Sequence, residues 1–392
     1  VSSSYPDAID SFTTKVDGVD SVLASHVNDL QDAVVAVETA IGAPPVFLTD
    51  VYSPIINGGM DIWQRGTSFA TIADGTYGPD RWLYQKSGAM VHTLSQSTDY
   101  PQITANGATR KFNYSLQLAL TTPDTAIAAG DYCVLTHKIE GYNWLKLDGQ
   151  PITVGFWVWS DVAGTYCVAL RNSGADRSCV AEYTIGALEV QTWVFKSVTF
   201  PANDNTSGTW NFTNGVGVQL HFTLAAGSTY QTTADAWQTG SFFATSSQVN
   251  GVNTGVTPFR VTGVDVVLGS SPRSIVPFDI GVEYGRCLRY YWKTGTGGAT
   301  RYGLAYGMAL ATTSARMFVP TPVPMRTNPA VSGFENVYCN GTAAAITSIT
   351  NAVSVPNGVW FIANVAAGLT ANHPAICNNE VASTGAVLDI EL

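Results

Sequence analysis

Charge is the scarcest feature of this 392-residue sequence. Only 12% of its residues are Asp, Glu, Lys or Arg, against about a quarter in an average soluble domain. The 19 basic residues form no stripe, and 29 acids leave a net charge of −10. A nucleic-acid partner needs a basic surface that displaces counterions, so none is expected. Binding to an anionic membrane is disfavoured for the same reason. No apolar run approaches the roughly 20 residues that span a bilayer, so no membrane insertion is expected. Residues 1–15 lack a basic n-region and an apolar h-region, so no signal peptide is expected there.

Motifs of metal and covalent chemistry are missing too. The six cysteines, Cys133, Cys167, Cys179, Cys287, Cys339 and Cys377, are widely spaced and form no C-x-x-C pair. They read as buried small hydrophobes. The five histidines (His26, His92, His137, His221 and His373) are scattered, with no ligand spacing among them. There is no G-x-S-x-G elbow, P-loop or dinucleotide fingerprint. No cofactor, metal or catalytic residue is expected. A glycan-cleaving depolymerase would need two carboxylates across the sugar bond. Asp80 with Asp61, or Glu140 with Asp148, can be proposed, but spacing singles out neither pair.

Glycine, Thr, Ser and aromatic residues are plentiful, with 37 Gly and 11% aromatics. Together with many β-branched residues they favour a mainly β protein. Residues 1–20 are polar and turn-rich and read as an extended docking arm. Residues 21–42 carry a helical pattern. Asp20 or Ser21 can cap its start, and Gly42 and Pro44-Pro45 end it. Leu23, Val27, Leu30, Val34, Val37 and Ile41 recur at alternating spacings of four and three, a heptad seam. An isolated helix of that length is marginal in water, so the seam asks for a partner, other copies of itself or the body of the protein. Branched residues at both seam positions favour self-association as a trimer. Residues 43–54 form a Pro-containing linker.

Strand patterns separated by Gly, Asn, Asp and Pro follow from residue 55 to about 277. They lie at 115–120, 132–139, 152–160, 165–172, 180–186, 192–200, 216–224 and 259–269, and their regular spacing suggests a β-jelly-roll sandwich. Ile152, Val154, Phe156 and Val158 share one strand face, with Trp157 and Trp159 on the other. The opening stretch Ile55–Trp82 reads as the first strand and corner of this domain, turned at Asn57-Gly58-Gly59, with Trp63 and Trp82 in the core. Residues 278–392 read as a smaller C-terminal β-domain behind a short linking helix. In that helix Val282, Cys287 and Tyr290 or Tyr291 would share a face. Arg286, Arg289, Lys293 and Arg301 are the only local basic concentration, either facing an acidic polysaccharide or lying on a solvated helix face. Strand candidates here are 302–310, 315–323, 330–334 and 386–392.

The arm and helix, SSSYPDAIDSFTTKVDGVDSVLASHVNDLQDAVVAVETAIG, resemble the N-terminal segment of tailed-bacteriophage virion proteins. INGGMDIWQRGTSF…GPDRW resembles the domain opening of phage tail fibres and related appendages. GRCLRYYW followed by VPTPVPMRTNPAVSGF resembles the C-terminal part of the same group. The middle section is similar to carbohydrate-binding jelly rolls of the galactose-binding type. The resemblance implies a non-enzymatic virion structural protein, a homotrimer. It would attach to other virion proteins through residues 1–42 and display its β-domains to a host surface glycan. A capsid-attached head fibre or decoration protein is the alternative, and a depolymerase the second. The resemblance also implies a calcium site near the first and last strands. Asp61 and Asp265 are the only positions that correspond, and two carboxylates are too few for a hard-cation cage. Sugar binding needs flat aromatic platforms beside hydrogen-bonding groups. Trp144, Trp210, Trp237 and Tyr230, all in turn-rich contexts, are the residues expected to supply them.

Overall fold

Two-residue alternation dominates the fold as it does the sequence. Along Ile152–Ser160 the side chains of Ile152, Val154, Phe156 and Val158 are fully buried in the main core, and Trp157 and Trp159 point the other way, half-buried. The computed structural model describes residues 53–105, 108–253, 258–272, 279–294, 302–379 and 385–392. The docking arm, the heptad seam (Leu23, Val27, Leu30, Val34, Val37 and Ile41) and the linker up to residue 52 lie outside the described residues. So do Arg301 and residues 273–277. Ser53–Leu392 forms one compact unit.

Its first strands are β1 (Ser68–Phe69), β2 (Thr76–Tyr77), β3 (Trp82–Ser87), β4 (Val91–Ser97), β5 (Gln102–Ala105), β6 (Ala108–Lys111), β7 (Ser115–Thr122) and β8 (Tyr132–Glu140). After a one-turn helix α1 (Gly141–Trp144) come β9 (Ile152–Ser160), β10 (Gly164–Asn172), β11 (Arg177–Ile185), β12 (Val194–Phe200), β13 (Val216–Ala226), β14 (Trp237–Thr239) and β15 (Phe259–Leu268). A six-stranded sheet runs β1-β4-β7-β15-β9-β12 and a seven-stranded sheet β14-β11-β10-β13-β8-β3-β2. Their inner faces share one core. Phe156 of the first sheet meets Phe222 and Tyr183 of the second edge-on, at 4.9 and 5.0 Å between centroids. This is a β-sandwich, and all eight strand patterns read from the sequence fall on its strands.

The stretch Ile55–Trp82 departs from expectation. It is a packed irregular segment until β1, not a first strand. Asn57 lies at φ 59° and is 1% exposed. Its side chain donates to the carbonyls of Ile62 and Asp80 and accepts from Ile62 N, replacing a strand ladder. Beside it, a Cβ on Gly58 would lie 2.1 Å from Val264 O, where β15 bulges between Thr262 and Asp265. Only glycine lets the two backbones approach so closely. Trp82 is fully buried, and Trp63 packs half-buried against the core.

The chain continues through α2 (Ile280–Leu288), β16 (Tyr291–Lys293), β17 (Tyr302–Ala311), β18 (Ser314–Pro320), β19 (Ala330–Ser332), β20 (Asn336–Cys339), β21 (Thr342–Val355), β22 (Gly358–Val365), β23 (Pro374–Asn379) and β24 (Val387–Asp389). β16, β24 and β19 form a small sheet, and β17-β18-β22-β21-β20-β23 close into a barrel. Helix α2 buries Glu283 and Cys287, while Val282 is 58% exposed. The expected Val282 face is therefore corrected: Asp279 caps the helix at Gly281 and Val282 and sets a rotation that turns Val282 outward. Ion pairs join the sandwich to this C-terminal part. Arg81, 1% exposed, pairs with Glu391 and lies 3.7 Å over the Tyr290 ring. Arg65 reaches Glu391 at 3.3 Å and Asp389 at 3.4 Å.

Candidate functional site

The three tryptophans expected in ligand-binding loops come together, though nothing in their spacing shows it. Trp144 at the end of α1 stacks on Trp210 at 6.1 Å and 9°, and Trp210 meets Trp237 of β14 edge-on at 5.5 Å. Trp144 is 1% exposed, so it presents no face to a ligand. The reason is local: α1 folds back under β13, where a Cβ on Gly217 would meet Trp144 Cβ at 2.5 Å. The indole N–H groups of Trp210 and Trp237 donate to the carbonyls of Ser207 and Pro201. The trio closes one end of the sandwich core, with Trp210 and Trp237 half-buried.

Tyr230 lies elsewhere, on the outer face of the seven-stranded sheet, where the stretches on either side of β14 pack. Phe243 is 2% exposed, and its carbonyl accepts from Thr223 Oγ1 at 2.6 Å. Tyr132 and Tyr230 stand around it, their rings 5.0–5.1 Å apart from each other and from Phe243. Both tyrosines are half-buried. Alternation on β8, β10 and β13 sends Cys133, Leu170 and Leu220 into the main core and a mixed face outward, where Val134, Cys167 and Ala169 form a second apolar cluster with Phe243 beside a polar part. The strand register then aligns Arg171, Gln219 and Lys138 across three neighbouring strands. The next row holds Ala169, His221 and Thr136.

This polar row is only partly satisfied from within. Thr136 Oγ1 donates to Gln85 Oε1 and shares a 2.8 Å bond with His221 Nδ1. With the hydroxyl proton directed at Gln85, His221 donates through Nδ1, which leaves a lone pair on Nε2. That buried Nε2 has no partner. Burial and the nearby Arg171 and Lys138 cations hold the imidazole well below its ordinary pKa, so it is neutral. Arg171 donates from Nη1 to Ser241 Oγ at 2.8 Å and from Nη2 to Gln219 Oε1 at 3.0 Å. Its guanidinium lies 4.9 Å from the Phe243 ring centroid, and its buried Nε has no acceptor. Burial lowers its pKa to about 10, which still leaves it cationic at neutral pH.

Other surfaces are more self-contained. On the outer face of the six-stranded sheet, Arg260 covers Trp159 at 4.3 Å and pairs with Asp99 at 2.8 Å. Phe195 packs on Trp157 at 5.6 Å, and Trp193 donates to Asp99. Two of the basic residues at α2 are tied down as well. Arg289 forks onto Glu140 at 3.0 and 2.7 Å, and Arg286 pairs with Glu283 at 2.9 Å. On the barrel a cleft of about 390 Å³ is lined by Arg316, Asn351, Val353, Trp360, Phe361 and Ile362. Asp61 accepts from Asn113, and Asp265 caps its own neighbour Val266. No group of three or more potential metal ligands occurs among the described residues. All six cysteines are buried and unbridged. β10 and β11 turn Cys167 outward and Cys179 into the core.

No family model matches the sequence, and no curated protein matches it. Solved structures overlap with about half of the chain. One is the enzymatically active domain of bacteriophage CBA120 tailspike protein 4, at 15% identity and a TM-score of 0.26, covering 51% of this chain and 21% of that one. The chain thus spans about a fifth of the tailspike chain. Another is the family 11 carbohydrate-binding module of a Clostridium thermocellum cellulosomal cellulase, at 12% identity and a TM-score of 0.28, covering 53% and 98%. A third is TmCBM61 in complex with β-1,4-galactotriose, at 10% identity and a TM-score of 0.25, covering 56% and 99%. At these scores the likenesses carry no inference about function.

Proposed function

We propose that the chain is a non-enzymatic virion protein of a tailed bacteriophage. It would be a tail fibre or receptor-binding appendage, attached through residues 1–42 and assembled as a homotrimer. It recognises a host surface glycan on the outer face of the seven-stranded sheet. One observation carries the binding site. On that face two partly open tyrosine rings, Tyr132 and Tyr230, adjoin the half-buried Arg171, whose terminal nitrogens have N–H groups beyond those given to Ser241 and Gln219; His221 lies fully buried below, under Phe243. Rings that pack on a sugar face beside unused polar groups are what a saccharide site needs. A rigid sheet holds them in place before the ligand arrives.

The carboxylates of the two pairs named from the sequence are drawn into internal bonds, so neither pair is offered for cleavage. Glu140 is engaged by Arg289 and Tyr290, Asp80 by Gln64 and Arg65, and Asp148 by Asn203 and Asn205. Trimerisation would multiply weak sites into avidity. It would also cover the apolar exterior of the barrel, where Tyr306, Met308 and Trp360 are 54%, 44% and 41% exposed. The test is a glycan array probed with the full chain, alongside Tyr230→Ala and Tyr132→Ala. Retention of specific glycans, lost in both variants at unchanged melting temperature, is expected. Binding that survives both substitutions would move the site off this face. New reducing ends on a retained glycan would overturn the non-enzymatic reading.

A further inference from the structure

Arginine in this chain normally comes with an acid. Arg65, Arg81, Arg260, Arg286 and Arg289 each reach a carboxylate within 4.0 Å. Arg326, facing several main-chain oxygens, is held by the carbonyls of Asn214 and Ile390. Arg177, on the Thr239 hydroxyl at 3.1 Å and with its own buried Nε unpartnered, pairs with no carboxylate among the described residues either, and nor does Arg171. Arg171 is half-buried, and its two bonded partners are a neutral hydroxyl and a neutral amide. A guanidinium has five N–H donors; Arg171 uses one on Nη1 and one on Nη2, its Nε–H is closed to solvent, and one N–H on each terminal nitrogen is left for a ligand. Desolvating a cation without a counter-charge is unfavourable. The anomaly is sharper in a chain with 29 acids and 19 bases, where a partner would be easy to supply.

We propose that Arg171 is an anion site, and that the glycan read on this face is acidic, its carboxylate seated on the unused edge of the guanidinium. The proposal rests on the glycan-binding reading above and names its ligand class. The planar fork of arginine matches a carboxylate with two parallel bonds, a geometry lysine cannot offer. The surroundings fit. Gln219 and Ser241 fix the plane of the group, and the Phe243 ring supports it. Lys138 stands on the second strand along in the same row. Tyr132 and Tyr230 flank the position where the sugar ring attached to the carboxylate would lie. The net charge of −10 repels a polyanion at long range, so recognition must come from this local, desolvated contact.

The test is affinity electrophoresis of the full chain through gels containing acidic polysaccharides (polygalacturonate, alginate, hyaluronate), fully methyl-esterified polygalacturonate, or neutral dextran and galactan. Retardation by at least one acidic polymer and none by the methyl ester is expected. Arg171→Gln should weaken that retardation at least tenfold, and Arg171→Lys should restore only part of it. Melting temperatures of both variants confirm that they fold. Wild-type retardation retained in Arg171→Gln would overturn the proposal, as would equal binding of the acid and its methyl ester. Retention by neutral polymers alone would overturn the acidic ligand and leave glycan binding standing. No retention by any polymer would count against both readings. Binding of inorganic phosphate alone, seen by calorimetry and lost in Arg171→Gln, would reduce the site to a free-anion site and overturn the sugar assignment.

Discussion

Trp82, Phe156 and Phe222 of the sandwich are fully buried, whereas Tyr306, Met308 and Trp360 of the barrel are 54%, 44% and 41% exposed. The two regions share the same alternation and differ in what lies between their walls. Two stacked sheets leave a gap of about 10 Å that large rings must fill. A six-stranded barrel is narrower, and its interior takes Ala305, Ala309, Ala315, Ala363 and Ala375 beside a few larger residues. Its bulky side chains therefore stand outside. Register places Tyr338, Ile376, Tyr306, Phe318, Trp360 and Val353 next to one another from strand to strand around the wall. Residues 302–379 contain only Arg316, Arg326 and Glu335 as charged residues. Such a surface is expected to be covered in the assembled protein.

Substitutions can break this comparison. Trp82→Ala should cost the most, about 4 kcal/mol, because it opens the sandwich core and removes the indole bond to Asn57 O. A urea-unfolding loss below about 1 kcal/mol would show that the sandwich does not depend on its rings. Asn57→Ala should follow, at about 3 kcal/mol. It strands the backbone groups of Ile62 and Asp80 and puts alanine at φ 59°.

Acid should weaken the sandwich next. Burial lowers the pKa of His92 to about 4 and holds His137 and His221 well below the usual histidine range. The unfolded chain therefore binds more protons than the folded one between about pH 6.5 and pH 4, and stability falls as pH falls through that window. His92 alone contributes about 2 kcal/mol between pH 7.5 and pH 5. Asp80, raised to about 6 by burial, and Asp61, raised by burial as well, act in the opposite direction. Urea midpoints at pH 7.5 and pH 5 measure the balance, and a higher midpoint at pH 5 would contradict it. Smallest in stability is Trp360→Ser on the barrel wall, at under about 1 kcal/mol. Combined with Tyr306→Ser, it should lower the light-scattering mass of the full chain at micromolar concentration. An unchanged mass would show that this wall does not help hold copies together.

Legibility from sequence follows the same division. The sandwich strands were readable because Ile152–Val158 and Val218–Leu224 alternate strongly. In the barrel, β20, β21, β22 and β23 are not read from the sequence, and Thr342–Val355 (TAAAITSITNAVSV) has the faintest signal of the four. It is built from small and hydroxyl residues whose alternation is faint, and its inward face needs little bulk. The candidate site was legible only in one residue, Tyr230. Its neighbours Arg171, Gln219, His221 and Thr136 come from three strands up to about 85 positions apart, and no local pattern links them. A weak signal did exist for Arg171, a lone cation in the apolar strand TYCVALRN, but the absence of an acid partner is a property of register.

By itself the sequence determined the eight strands of the sandwich read from it and which of their faces turn inward. Alternation with a period of two is a local property, and burial of apolar area acts on every strand that has it. It also determined how scarce charge is, at 12% of residues. Tertiary structure alone decided that Trp144 is core, that Arg289 belongs to Glu140, and that Arg171 belongs to no acid. Those outcomes depend on which strands become neighbours and in what register. Pairing across long sequence separations is set by the whole core, not by any one stretch of chain.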